Sequence, residues 1–489
     1  MESVTSLAVL IRGVEYLLIF FILPVIFKAV YNIYFHPLAC FPGPKLNAVT
    51  QIPRSKASVR GLLPAYAHQL HEQYGEVVRM GPNELSFISP QAWTDIYGNA
   101  RGPHGFKKDQ LRYVRTPNAA PNLLNADDLT HTRYRRLLSY AFSDKALREQ
   151  EPIFQRYVDL LVSQLETQWT HTDVAPIDIT SWFNWTTFDL IGELSVGESF
   201  GCLDNLRTHP WVSGLFKSFR IQIYIVISRQ ISLVRPLVDW IVGRTARRFR
   251  RRGFDYAVEK VDQRLANRDD ATVHDFIHYI LRAEGSEKGM TPDEIYSNAN
   301  VLIVAGSETT ATAMSGAIFN LCSNPRTMLK VCREIRERYA NESEITFSSA
   351  MGLEYLNAVI EENLRMYPPV PGPLTRRVPR GGAIVAGYWV PDNTEVTCIN
   401  FAVNHSASNF CGPELFQPER WLGDGPDGFL AYAEMRLILS RLLFKFDFEV
   451  RPESRYWMTD QRSYIVWEKP PLMVNLRRRS EEKGPAKEM

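Results

Sequence analysis

Apolar and polar positions follow a mostly helical rhythm along this chain, and the longest unbroken stretch of it runs over residues 291–324. Thr291 suits an N-cap, Pro292 suits the first turn, and Glu294 closes a capping box, so the pattern predicts a helix start there. Pro325 ends it. About 32 residues at 1.5 Å each give roughly 48 Å, enough to cross a large domain. Val301, Leu302, Ile303, Val304 and Ala305 leave no polar face, which predicts burial all round. Residues 305–310, Ala-Gly-Ser-Glu-Thr-Thr, break that logic. Gly306 costs about 1 kcal/mol relative to alanine. Glu308 should not be buried without a partner. Thr309 can bond back to the carbonyl four residues earlier and bend the helix. On the pattern alone a buried helix has no structural use for these residues. Two readings stand: a kink with a solvent-facing Glu308, or an acid beside an alcohol that holds water and passes protons.

Other segments carry plainer signals. Residues 63–74 read as a helix, 75–90 as two short strands around a Gly-Pro turn, and 90–97 as a short helix. Residues 131–142 form a basic helix, in which His131 and Arg135 share a face and can donate to an anion. Arg133 and Arg136 point elsewhere and are free to meet an acidic partner, or simply to be solvated. Residues 150–285 read as mostly helical, with a solvated basic run at 244–252. Residues 326–339 and 353–366 read as charged surface helices, and Glu362 and Arg365 in the second are spaced to pair. Residues 374–399 read as short strands with Gly-Pro turns, 413–421 as a loop, and 430–450 as a helix running into a strand.

Near the start, residues 14–35 are the one membrane-scale apolar stretch, interrupted by Glu15, Pro24 and Lys28. It approaches the ~20 residues needed to span a bilayer. We read 1–35 as a retained single-pass anchor and 36–46 as a proline-rich hinge. Residues 47–479 then form one large domain and 480–489 a polar tail. The 489 residues carry a net charge of only +2, which argues against a nucleic-acid partner. Six cysteines are scattered without metal-ligand spacing, so no disulfide framework or zinc site is expected. Three N-x-[ST] sequons occur, at Asn184, Asn341 and Asn404, and read as chance matches.

Taken together, the order of these motifs resembles a eukaryotic microsomal cytochrome P450 of the fungal secondary-metabolism type. The resemblance covers nearly the whole chain. It implies a mainly α P450 fold with a small β-rich region. It implies haem b, with His131, Arg135 and Arg376 at its propionates. It identifies Ala305, Gly306, Glu308 and Thr309 with the oxygen-activation motif of the long helix. Glu308 and Thr309 are then the proton-delivering catalytic pair. Glu362, Arg365 and Arg420 become a structural charge network, the last residue from the F-x-P-E-R-W at 416–421. The implied partners are membrane lipid, a small hydrophobic substrate and an NADPH-cytochrome P450 reductase docking near Arg133 and Arg136. The implied site is the endoplasmic reticulum membrane, with the catalytic domain in the cytosol. Substrate lining is expected from 111–122, 206–231, Val304 and 370–374.

The sequence departs from the family in one place. The family's ligand cysteine lies in F-x-x-G-x-R-x-C-x-G, between PERW and the next helix. Here eight residues separate Trp421 from Leu430, and no cysteine follows Cys411. The expected metal ligand is therefore none. Two explanations remain open: a shortened rendering of an ordinary monooxygenase message, or a haem-deficient pseudoenzyme that binds or scaffolds at the membrane.

Overall fold

The computed structural model describes residues 22–98, 105–113, 116–169, 174–230, 243–267, 275–282, 289–423 and 430–479, with Phe20, Pro236, Trp240 and Gly285. The expected tail, residues 424–429 of the shortened junction and most of the first half of the 14–35 stretch lie outside them. The chain separates into two compact units, one of residues 1–109 with 373–409 and the other of 110–372 with 410–489.

The first unit is built on a five-stranded sheet. Val77–Gly81 pairs antiparallel with Glu84–Phe87, which runs parallel to Glu395–Cys398. Arg376–Arg377 and Lys107–Lys108 complete it. The Gly81-Pro82 turn ends the first strand where the sequence placed it, and the helices Leu63–Tyr74 and Pro90–Tyr97 match their expected spans. Ahead of the sheet, the apolar helix Ile22–Tyr34 leaves Leu23, Phe27 and Tyr34 exposed. Within the described residues it is shorter than the ~20 residues of a membrane span.

The second unit is mainly helical and centres on the helix Pro292–Ser323. Both halves of its capping box are made, Thr291 accepting from the Glu294 N–H and Glu294 accepting from the Thr291 N–H. The helix packs most extensively on Ile179–Val196, itself buried on nearly every face. Asp144–Glu166 lies against Ile179–Val196, and Leu430–Lys445 lies against the long helix. A three-stranded sheet closes the unit, Met473–Arg478 running antiparallel between Val174–Asp178 and Phe446–Val450.

Two elements differ from the sequence reading. Val174–Asp178 is a strand inside a region read as helical. It holds an edge, where Pro176 is tolerated because no ladder donor is needed on its outer side. Glu354–Met366 is not a surface helix: Leu356, Val359, Ile360, Glu362 and Arg365 are all buried. Glu362 meets Arg365 locally, as its spacing predicts, but the donors that complete its burial lie more than fifty residues away.

The long helix also has packing uses for its glycines, contrary to the pattern-based expectation. A Cβ on Gly306 would stand 2.6 Å from Ile191 Cδ1. A Cβ on Gly316 would stand 2.4 Å from the Tyr367 ring and 2.9 Å from Asn363 Oδ1. Both glycines let a neighbour approach the helix backbone. Gly316→Ala should destabilise the protein by about 1–3 kcal/mol through overpacking, despite alanine's better helix propensity. Chemical denaturation checks this, and a variant at or above the original stability would show that Tyr367 can yield.

Candidate active site

The long helix presents two unlike faces at its middle. Leu302 and Thr309 are half-buried and Ala305 is exposed, while Val301, Ile303, Ser307 and Glu308 are buried. Positions 302, 305 and 309 are three and four apart and so share one face. That face is open. The Thr309 hydroxyl donates to the Ala305 carbonyl at 2.6 Å, the back-bond that its position allowed.

Glu308 is turned the other way. It forms a short ion pair with Lys469, and both side chains are almost wholly buried. Thr312, one turn along, donates to Glu308 Oε1 at 3.3 Å and accepts from Lys469 Nζ at 2.6 Å. Burial pushes the Glu308 carboxyl up, and the Lys469 ammonium and the Thr312 hydroxyl pull against it. The reading of a solvent-facing Glu308 is therefore corrected, and Glu308 and Thr309 point to different faces. The helix rotates about 100° per residue, and the buried cation claims the acid. Lys469 carried no sequence signal, since it lies 161 residues from its partner.

A second buried carboxyl meets the same helix. Glu434, on the first turns of Leu430–Lys445, lies beside Thr310, whose hydroxyl donates to the Gly306 carbonyl at 3.0 Å, and Glu434 Oε1 has no partner. Burial pushes its pKa up to about 8, so it is neutral at pH 7.

Glu362, Arg365 and Arg420 come together. Glu362 is fully buried and accepts from Arg365 Nε at 2.8 Å and from Arg365 Nη2 at 2.9 Å. Arg420 Nε donates to Glu362 at 3.3 Å. Two further donors were not foreseen: the Gln417 N–H and Trp421 Nε1, each at 2.9 Å. Arg365 reaches the Leu415 carbonyl at 3.2 Å, and Arg420 the Gly412 carbonyl at 3.0 Å. One carboxylate thus fixes the whole 410–421 loop. Burial raises the Glu362 pKa, but these donors outweigh it and hold the carboxyl below its ordinary value.

The basic helix Asp128–Ser139 carries His131, half-buried, and Arg135, exposed. Arg133 is not free to meet a partner. It grips Glu294 with both terminal nitrogens, at 2.5 and 3.1 Å, and donates to the Gly289 carbonyl. The capping-box glutamate therefore also binds the basic helix to the start of the long one. Arg376 lies in the first unit, half-buried in its strand, with its guanidinium 5.4 Å from the Tyr97 ring centroid.

A haem with a thiolate ligand would need an open helix face on one side and a lowered thiol pKa on the other. The 302, 305 and 309 face fits the first need. Four of the six cysteines are shifted the other way. Burial pushes Cys202, Cys322 and Cys398 up to about 12 and Cys332 to about 11. Cys40 and Cys411 are exposed in turns.

Known proteins answer to the same pattern. The family described as Cytochrome P450 matches residues 42–426. The chain is 40% identical over 471 residues to the cytochrome P450 monooxygenase astA of Talaromyces wortmannii, covering 92% of this chain and 94% of that one. It is 40% identical over 474 residues to the trichothecene C-15 hydroxylase of Fusarium sporotrichioides, covering 91% and 94%. It is 37% identical over 505 residues to the averantin hydroxylase of Dothistroma septosporum, covering 98% and 93%.

Glu362→Gln leaves Arg365 without its counter-charge and should cost about 3–5 kcal/mol at pH 7 by chemical denaturation. Because the native carboxyl titrates below its unfolded value of about 4.3, this deficit should shrink as pH falls through the native value. A deficit that stays constant down to acid pH would mean that the charge is immaterial. Glu434→Gln should act with the opposite sign. The native carboxyl is neutral at pH 7 while the unfolded one, with a pKa of about 4.3, is ionised, so unfolding is favoured as pH rises between the two values. The variant should be more stable than the original at pH 7 and show no such gain below about pH 4.

Proposed function

The chain belongs to the cytochrome P450 family, whose members are monooxygenases, and from that premise we propose that it oxidises a small hydrophobic metabolite of terpenoid or polyketide type. The observation that carries this reading is the near full-length likeness to fungal monooxygenases, two of them named as a trichothecene and an averantin hydroxylase. The open face at Leu302, Ala305 and Thr309 is where such a substrate would meet the reacting centre. We assign residues 14–35 as the anchor in the endoplasmic reticulum membrane. An NADPH-cytochrome P450 reductase supplies electrons, since the chain has no flavin or nucleotide motif of its own. With Arg133 committed to Glu294, the exposed Arg136 is the basic contact left for that reductase.

The haem-thiolate loop is the gap in this reading. We propose that the sequence between Trp421 and Leu430 is a shortened rendering of a longer message. The family match stops at residue 426, inside this junction. Polar contacts survive on either side: Arg420 and Trp421 hold Glu362 before it, and Arg436 donates to Asn357 at 2.6 Å after it, with Glu434 Oε1 the exception that has no partner. A sequence long released from function would not be expected to keep such groups satisfied.

Sequencing the transcript across codons 421–430 and expressing both forms tests this. The expected result is a longer message encoding the cysteine loop. Its product should give the reduced carbon-monoxide spectrum of a thiolate-ligated haem, and the shorter product should not. If no longer message exists, the reading of a haem-deficient, membrane-bound binding or scaffold protein takes its place.

A further inference from the structure

Glu308 is almost wholly buried and is tied by an ion pair to Lys469, near the far end of the chain. Its Oε1 is shared by Lys469 and Thr312, and its Oε2 has no hydrogen-bond partner. Such an orphaned oxygen is costly to bury unless a counter-charge offsets it. Lys469 is that counter-charge, and its position is set from both sides. Trp467 stacks on Tyr367 with ring centroids 5.3 Å apart, and its indole N–H donates to the Pro368 carbonyl at 2.8 Å. Pro470 accepts from the Trp457 indole at 2.8 Å. Glu468, between them, turns outward to Arg220 on the helix Pro210–Gln230. The segment therefore cannot shift Lys469 without releasing several contacts together.

The other groups around Glu308 do not replace the ammonium. Thr312 is on the same helix and is neutral. Tyr367, at the end of Glu354–Met366, is a fully buried phenol that donates to Gln461, and burial raises its pKa further. Glu434 meets the helix at Thr310, on a different face.

We propose that Lys469 is a positioning residue for Glu308, holding its carboxylate charged and turned away from the face that carries Ala305 and Thr309. Thr309 is then the hydroxyl that the open face offers. Glu308 can reach that face only after the ion pair opens, which requires the Trp467–Pro470 segment to move. The assignment concerns the protein's own side chains and does not depend on haem.

Infrared titration of the full chain tests it. Glu308→Gln identifies the carboxyl band of Glu308, and Glu434→Gln identifies the other buried carboxyl. In Lys469→Met, which keeps length and apolar bulk, the pH at which the Glu308 band disappears should rise by about 1–3 units, the size of effect expected for losing an adjacent opposite charge. The Glu434 band should not move, and Lys469→Arg should hold the original midpoint more closely than the methionine variant. A purely packing role for Lys469 would leave the Glu308 midpoint in place, and that result overturns the proposal. If Lys469→Met does not fold, the double variant Glu308→Gln with Lys469→Met decides. Recovery of folding supports the pair, and continued failure overturns it.

Discussion

A helix buried along most of its length must find internal partners for the polar side chains it carries. In the second unit this constraint arranges the elements around Pro292–Ser323. Glu308 draws in Lys469 from the C-terminal strands, and Thr310 meets Glu434 from Leu430–Lys445. Asn320 donates to Asn363, which in turn donates to the Ala313 carbonyl. Ser307, Thr309, Thr310 and Ser315 bond back to their own helix. Where no partner is needed, glycine lets a large side chain approach, Ile191 at Gly306 and Tyr367 at Gly316. The helix is thus held by its exceptions to apolarity as much as by its apolar surface. Back-bonding hydroxyls also spare the surrounding elements from supplying donors.

The same logic shapes the loop before the junction. Glu362 accepts from two arginines, an indole and a backbone N–H. Such a carboxylate is strongly stabilised only while its donors remain, because it and Arg365 are both buried. Taking two charges out of water costs several kcal/mol per ion, and the gain depends on completeness of the hydrogen bonding. This couples the fold of 410–421 to a helix fifty residues earlier. It places Arg420 and Trp421, the last well-anchored residues before the shortened stretch, in a fixed geometry.

Much of this was legible in the sequence where the chemistry was local. The capping box at Thr291, the Gly-Pro turn at 81–82 and the i, i+3 pairing of Glu362 with Arg365 all depend on residues within four positions of each other. The order of the motifs was enough to identify the family. What the sequence did not reveal depends on long-range contact. Nothing near Lys469 marks it as the partner of Glu308, and nothing near Glu294 marks it as the partner of Arg133 as well as a cap. The strand Val174–Asp178 has only five residues and contains a proline, so its pairing with Met473–Arg478 decides its state. Glu354–Met366 looked solvated for the same reason, because charge count alone does not distinguish a wet face from a satisfied buried one.

The separation of Glu308 from Thr309 bears on what the hexapeptide at 305–310 can do. Adjacent residues on a helix point about 100° apart, so an acid and an alcohol in sequence cannot both face one space without a change in backbone or rotamer. Here the backbone is an uninterrupted helix from Pro292 to Ser323, and the rotamer of Glu308 is set by a buried cation. The open face therefore has a hydroxyl and a small side chain, while the acid is kept one face away. An anion left on the open face would be solvated and would disfavour an apolar ligand there. Placing it against Lys469 removes that penalty, and it makes the electrostatics of the open face depend on where the segment after Val466–Glu468 lies.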